Sequence, residues 1–151
     1  MYNLDVVFDC TDPDAVSRFW LTALEGYDYP GSDPDGPPGC PPPGFTTWEA
    51  WADSMGIPED QRYGTRTIID VVGNRPDIFF IAVPEGKQVK NRLHLDIKAT
   101  RDVAPEDRLA RQDAEAERLV AAGATLLRRV HDPDGSHLVL QDVEGNEFCI
   151  T

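Results

Sequence analysis

The chain has 151 residues, and its 27 Asp and Glu against 14 Lys and Arg give a formal net charge of −13. That excess of acid argues against nucleic acid or an anionic membrane as partner and favours solubility, with attraction of a cationic small molecule as the sharper reading. The length suits one domain, able to bury a core without metal or disulfide staples. Met1-Tyr2-Asn3-Leu4-Asp5 leads straight into an acidic strand with no signal-peptide pattern, and no apolar run approaches membrane-spanning length, so a cytoplasmic protein is expected. Cys10, Cys40 and Cys149 lack Cys-x-x-Cys spacing, which suits a reducing compartment and excludes a zinc ribbon.

Asn3-Leu4-Asp5-Val6-Val7-Phe8-Asp9 alternates like a strand, putting Leu4, Val6, Phe8 and Cys10 on one face and Asp5, Val7 and Asp9 on the other. Thr11-Asp12-Pro13 opens a helix, with Asp12 as cap and proline at the first helical position. Val16, Phe19, Trp20, Ala23 and Leu24 form its apolar stripe, Gly26 ends it, and the stripe covers the Leu4, Val6 and Phe8 face. From Asp28 to Gly44 proline, glycine and aspartate dominate; proline lacks the amide donor a central strand needs, so this is an inserted loop or edge segment.

Thr46 and Glu49 have capping-box spacing and predict a short helix with Trp48, Trp51, Ala52 and Met55 on one side, ended by Gly56 and Pro58. It is either a lid whose Trp48 and Trp51 grip a planar or cationic ligand, or a patch on the outside of the core. Strands follow at 66–72 and 78–83 around the Gly73-Asn74-Arg75-Pro76 turn; the second is apolar on both faces and therefore central.

Asn91-Arg92-Leu93-His94-Leu95-Asp96-Ile97 repeats the opening pattern, with Leu93, Leu95 and Ile97 opposite His94 and Asp96. Asp102 to Pro105 leads into a helix with inner residues Leu109, Ala116, Leu119 and Val120, a stop at Gly123 and a solvated Arg/Glu outer face. Strands at 124–130, 136–141 and 146–150 are joined by turns at Asp134-Gly135 and Glu144-Gly145; His131 and His137 flank the first turn as surface residues. In the last strand Phe148 and Ile150 oppose Glu147 and Cys149. The chain therefore reads as an α+β domain of two βαβββ modules, 1–88 with an insertion at 28–64, and 89–151. If their polar faces converge, Asp5, Asp9, His94, Asp96, Glu147 and Cys149 line one site.

Asp9-Cys10-Thr11-Asp12-Pro13 before Phe19-Trp20, Val83-Pro84-Glu85 leading to Lys90-Asn91-Arg92-Leu93-His94-Leu95-Asp96, Leu119-Val120-Ala121-Ala122-Gly123-Ala124 and Gln141 to Ile150 together resemble the vicinal oxygen chelate superfamily, in its glyoxalase-like or bleomycin-resistance-like branch. The resemblance covers nearly the whole chain. It implies two βαβββ modules whose mixed sheet curls around a cavity, often in a homodimer. It also implies a divalent metal (Zn, Ni, Mn or Fe) held near the start and end of each module, at Asp5 and His94 and at about Ile81 and Cys149. Ile81 cannot coordinate, and Cys149 stands where a glutamate is expected, with Glu147 on the same strand face as a substitute. The two-histidine, one-carboxylate iron set is not met.

Three functions follow. The first is a metal-independent binder of a cationic or aromatic small molecule, held by Asp5, Asp9, His94, Asp96 and Glu147 with Trp48 and Trp51 closing above. The second is a metal-dependent lyase, isomerase or dioxygenase with Asp5, His94 and Glu147 or Cys149 as ligands, or Glu147 as the base. The third is a partner-binding protein whose cavity is filled by side chains. No phosphate-binding glycine loop, dinucleotide fingerprint or nucleophile motif supports other chemistries.

Overall fold

The computed structural model describes residues 4–133 and 135–151. It divides into two compact units, Met1–Gly86 and Lys87–Thr151. Asn3, the expected start of the first strand, and Asp134 of the expected hairpin turn lie outside the described residues.

The first unit contains β1 (Val6–Cys10), α1 (Pro13–Ala23), β2 (Tyr27–Asp28), α2 (Trp48–Ser54), β3 (Thr65–Asp70) and β4 (Ile78–Ala82), in a sheet of order β1-β4-β3-β2. β1 runs parallel to β4, a pairing made possible by the long connection through α1, β2 and β3 between them, and the other pairs are antiparallel. β4 is interior, as its two apolar faces require. Asp12 caps α1 by accepting from the amides of Asp14 and Ala15, both at 3.0 Å, and Pro13 takes the first turn. The α1 stripe buries Val16, Phe19 and Trp20 over Ile68 and Phe80, and Phe8 stacks between Trp20 (5.3 Å) and Phe80 (5.4 Å).

Two expectations are corrected here. Leu4 precedes the strand and is 73 % exposed, so the buried face begins at Val6. The cap of α2 is Thr47 rather than Thr46: its hydroxyl accepts from the Ala50 amide at 3.0 Å, and Met55 falls outside the helix, exposed. β2, only two residues long, carries no alternation that a sequence could reveal, yet it pairs with β3 at the sheet edge. The inserted residues 29–64 leave from β2 and return to β3.

The turn from β3 to β4 is organised by Asp70, whose side chain is almost wholly buried. Its carboxylate accepts from the Arg75 guanidinium at 2.6 Å and from the amides of Asn74 and Arg75 at 2.8 Å and Val72 at 3.3 Å. Tyr27 lies under the Arg75 guanidinium at 4.5 Å and donates its hydroxyl to the Pro76 carbonyl. The Arg75 contact first, and the three amides after it, hold the Asp70 carboxyl far below its ordinary 3.8 against the opposing effect of burial. A folded-state pKa below the unfolded one adds stability above the unfolded value, and that stability drains away as pH falls through the folded value. Asp70→Asn is therefore expected to weaken the fold at neutral pH and to flatten the acid limb of the stability curve below about pH 4. Urea midpoints of the two proteins falling in parallel with pH would show that Asp70 anchors nothing.

The second unit contains β5 (Leu95–Ile97), a single 3-10 turn at Pro105–Asp107, α3 (Arg108–Ala121), β6 (Thr125–Asp132), β7 (Gly135–Gln141) and β8 (Glu147–Ile150), in a sheet of order β5-β8-β7-β6. β5 is parallel to β8, with Leu95 opposite Phe148, Asp96 opposite Cys149 and Ile97 opposite Ile150. Leu119, Leu140, Phe148 and Ile150 are fully buried at its centre. Leu93 lies ahead of the strand and is 71 % exposed, so the apolar face of β5 is Leu95 and Ile97 only.

α3 is also rotated from its expected face. Leu109 and Val120 are about half exposed, while Gln112, Glu115, Ala116 and Leu119 are buried. Two of those four are polar, and they are inside because they are paired. Gln112 donates to the Ser136 carbonyl at 2.6 Å and accepts from Arg129 at 2.7 Å, and Glu115 accepts from Arg118. A stripe drawn by hydrophobicity alone misses such positions. The turn from β7 to β8 is built by Asp142, which accepts from the amides of Glu144 and Asn146, with Gly145 at a positive φ of 87°. Strand pairing thus gives the two expected modules, each a four-stranded mixed sheet that is not closed.

Candidate functional site

The parallel register of β5 with β8 sets Asp96 beside Cys149, and His94 precedes them by the two-residue repeat that keeps side chains on one face. The His94 Nδ1 lies 3.1 Å from Asp96 Oδ1 and 3.9 Å from Cys149 Sγ. One donor atom from each of the three falls within 4.8 Å of the others, the single such group of metal-capable side chains among the described residues. His94 and Asp96 are solvent-accessible and Cys149 is buried.

Two chemistries compete for such a trio. In a nucleophilic relay the base uses one ring nitrogen for the nucleophile and the other for the orienting carboxylate. Here both partners meet the same nitrogen, so the relay geometry is absent; burial, then the Asp96 charge, push the Cys149 thiol above its ordinary pKa, which opposes the thiolate for attack and ligation alike. Metal ligation asks instead that three donors face one point. With bonds of about 2.0 Å to N and O and about 2.3 Å to S, a tetrahedral zinc keeps its ligands roughly 3.3–3.6 Å apart. The observed separations bracket that range, so the residues fit a divalent ion with an open fourth position.

Glu147, expected as a third ligand or base, is otherwise engaged. Its carboxylate accepts from the Asn91 amide at 2.9 Å and pairs with the Lys87 ammonium at 3.2 Å, pinning the segment that leads into β5. Burial alone would raise its pKa, but the Asn91 amide and Lys87 outweigh it and hold the group at about 2. A carboxylate so acidic is a weak proton acceptor, which suits a clamp. Asp5 is exposed just ahead of β1, and Asp9 is exposed on β1 opposite Ile81 of β4. His131 is exposed, and His137 faces Asp132 at 3.4 Å.

Trp48 and Trp51 belong to a cavity of about 290 Å³ inside the first unit, formed between α2, the start of α1 and the entry to β3. Trp48 stands perpendicular to both Tyr29 (87°, 5.6 Å) and Trp51 (83°, 5.5 Å), and its indole donates to the Gly39 carbonyl. Tyr63 supplies a further aromatic wall. Arg62 pairs with Asp53 at 2.7 Å and makes two bonds to the Ile57 carbonyl, whereas Arg66 shares the Asp14 carboxylate (3.2 Å) with Arg18 (2.7 Å). Glu49, also lining the cavity, makes no ion pair among the described residues, though its charge reaches Arg18. The contributions of Arg62, Tyr63 and Arg66 were not legible in the sequence; the nearest signal was two arginines four apart in an acidic chain.

Two units, each with one helix over a four-stranded mixed sheet and a parallel pair at its edge, define the glyoxalase/bleomycin resistance/dioxygenase class of fold. Solved structures agree. A family enzyme of that name from Burkholderia phytofirmans PsJN is 19% identical, with 97% of each chain covered and a TM-score of 0.56. The fosfomycin resistance protein FosX of Mesorhizobium loti is 11% identical over 99% of this chain and 89% of that one, with a TM-score of 0.56. A mutant FosX of Listeria monocytogenes, complexed with Mn(II) and a dihydroxypropylphosphonic acid, is 10% identical over 99% and 89%, with a TM-score of 0.57. No curated protein sequence matches the chain. The chain belongs to the glyoxalase-like domain family, whose model matches residues 5–151.

Proposed function

We propose that this glyoxalase-like domain binds a planar aromatic cation in the cavity walled by Trp48, Trp51 and Tyr63. The observation that carries the reading is that perpendicular aromatic rings and Glu49, a carboxylate with no ion pair among the described residues, share one cavity while each of its arginines faces an aspartate. Ring faces attract a desolvated cation, and the acidic surface raises its local concentration. The exposed acids Asp5 and Asp9 add to that field. The homodimer implied by the family resemblance is part of this reading, and light scattering reports it.

Titration with proflavine, a planar cation, is expected to quench tryptophan fluorescence saturably, whereas the planar anion naphthoate does not. Trp51→Ala should weaken proflavine binding roughly tenfold or more, the usual cost of truncating an aromatic anchor. Equal response to both dyes, or an unchanged Kd in Trp51→Ala, would sink the reading.

A second reading rests on the His94, Asp96 and Cys149 group: a divalent-metal site of a lyase, isomerase or dioxygenase. These residues would hold the ion, which supplies polarisation of substrate oxygens when bound. Asp96 then takes the ligand place that the family pattern gives to other positions.

A further inference from the structure

Among the described residues, seven of the fourteen lysines and arginines pair with a carboxylate: Arg18, Arg62, Arg66, Arg75, Lys87, Arg118 and Arg129. In a chain with nearly twice as many acids as bases, an unpaired cation is the exception. Three of these exceptions, Lys98, Arg101 and Arg108, line one cleft of the second unit, about 740 Å³ in volume, whose walls include no Asp or Glu among the described residues. Glu106 and Asp107 stand nearby in sequence but do not line it.

The rest of the cleft is built for donors. Thr100 is about nine-tenths buried and lines the cleft, with its backbone fixed by the Thr151 and Val103 bonds. Arg108 spends its Nε on the Val103 carbonyl at 3.1 Å, which orients the guanidinium and, among the described residues, leaves both terminal nitrogens without a hydrogen bond. It is also the first residue of α3, a helix of 14 residues whose cap, Asp107, makes no side-chain bond to the first-turn amides. Behind them Gln112 and Ser136 are locked together and to Arg129, making a rigid back wall.

We propose that this cleft is a binding site for a phosphate group, either inorganic phosphate or the head of a phosphate monoester. Three cations and the Thr100 hydroxyl of the lining match the three terminal oxygens and nearly double charge of a phosphate group better than the single charge of a carboxylate. The site is independent of the aromatic cavity and of the His94 group, which lie elsewhere in the chain.

Isothermal titration at constant ionic strength, with inorganic phosphate, glycerol phosphate, acetate and chloride as probes, tests it. The two phosphates are expected to bind with acetate and chloride showing no heat. A tighter Kd for glycerol phosphate than for inorganic phosphate assigns the site to monoesters, and the reverse assigns it to the free ion. Arg101→Gln and Lys98→Gln should each weaken phosphate binding roughly tenfold, the worth of one charge-assisted contact. Arg111→Gln, on α3 but outside the cleft, should leave it unchanged. Equal losses in all three variants, or no loss in either cleft variant while both remain folded by circular dichroism, would overturn the proposal.

Discussion

Trp20→Ala is expected to remove about 3–5 kcal/mol from the stability of the first unit, the usual cost of truncating a large buried aromatic. The indole is completely buried. It meets Phe8 at 5.3 Å and Phe19 edge-on at 5.7 Å, so its loss opens a cavity exactly where helix and sheet join, and neither ring can swing in without leaving its own contacts. Trp51→Ala is the comparison. Trp51 is part-exposed on the inserted helix, and its loss should cost much less because water already reaches one side. Urea unfolding followed by far-ultraviolet circular dichroism measures both. Similar costs for the two tryptophans would refute the assignment of Trp20 as the centre of this core.

His94→Ala is expected to lower affinity for Zn²⁺ or Mn²⁺ by at least ~100-fold, since even the partners behind metal ligands are worth about 10–100-fold. The reason is the shared nitrogen: Nδ1 is the atom that both Asp96 and Cys149 approach. Competition with a chelator gives the number without any assay of activity. Glu147→Gln separates the two possible ligand sets. Bound to Asn91 and Lys87, Glu147 has no role in the trio, and its amide should change metal affinity less than about threefold. A collapse of affinity in Glu147→Gln with little change in Cys149→Ser would restore the set drawn from the family pattern.

The parts of the fold that sequence reveals are those governed by repeating geometry. The Asp12-Pro13 cap, the Val16 to Trp20 stripe and the central character of β4 depend on periods and local chemistry, and all three stand in the structure. The parallel pairing of β5 with β8 that joins Asp96 to Cys149 links residues more than fifty positions apart, and no local signal encodes it. The buried Gln112 and Glu115 stayed hidden for a related reason: each is tolerated inside only because a distant or neighbouring arginine answers it. His94 and Asp96 were visible because alternation placed them opposite Leu95; the role of Glu147 was not, because its partners lie in an irregular segment.

The inserted stretch between β2 and β3 closes largely on itself: Asp28 accepts from the Gly39 amide, Trp48 donates to the Gly39 carbonyl, and Arg62 grips Ile57. It reaches α1 and β3 through few links, among them Ser17 with Tyr29 and the Arg66 guanidinium with the Arg62 carbonyl. Such a segment behaves as an exchangeable cassette. Selection can rewrite its chemical taste by altering one contiguous run of codons, while the scaffold strands and the histidine-centred trio inherit no penalty, so divergence among descendants should concentrate there.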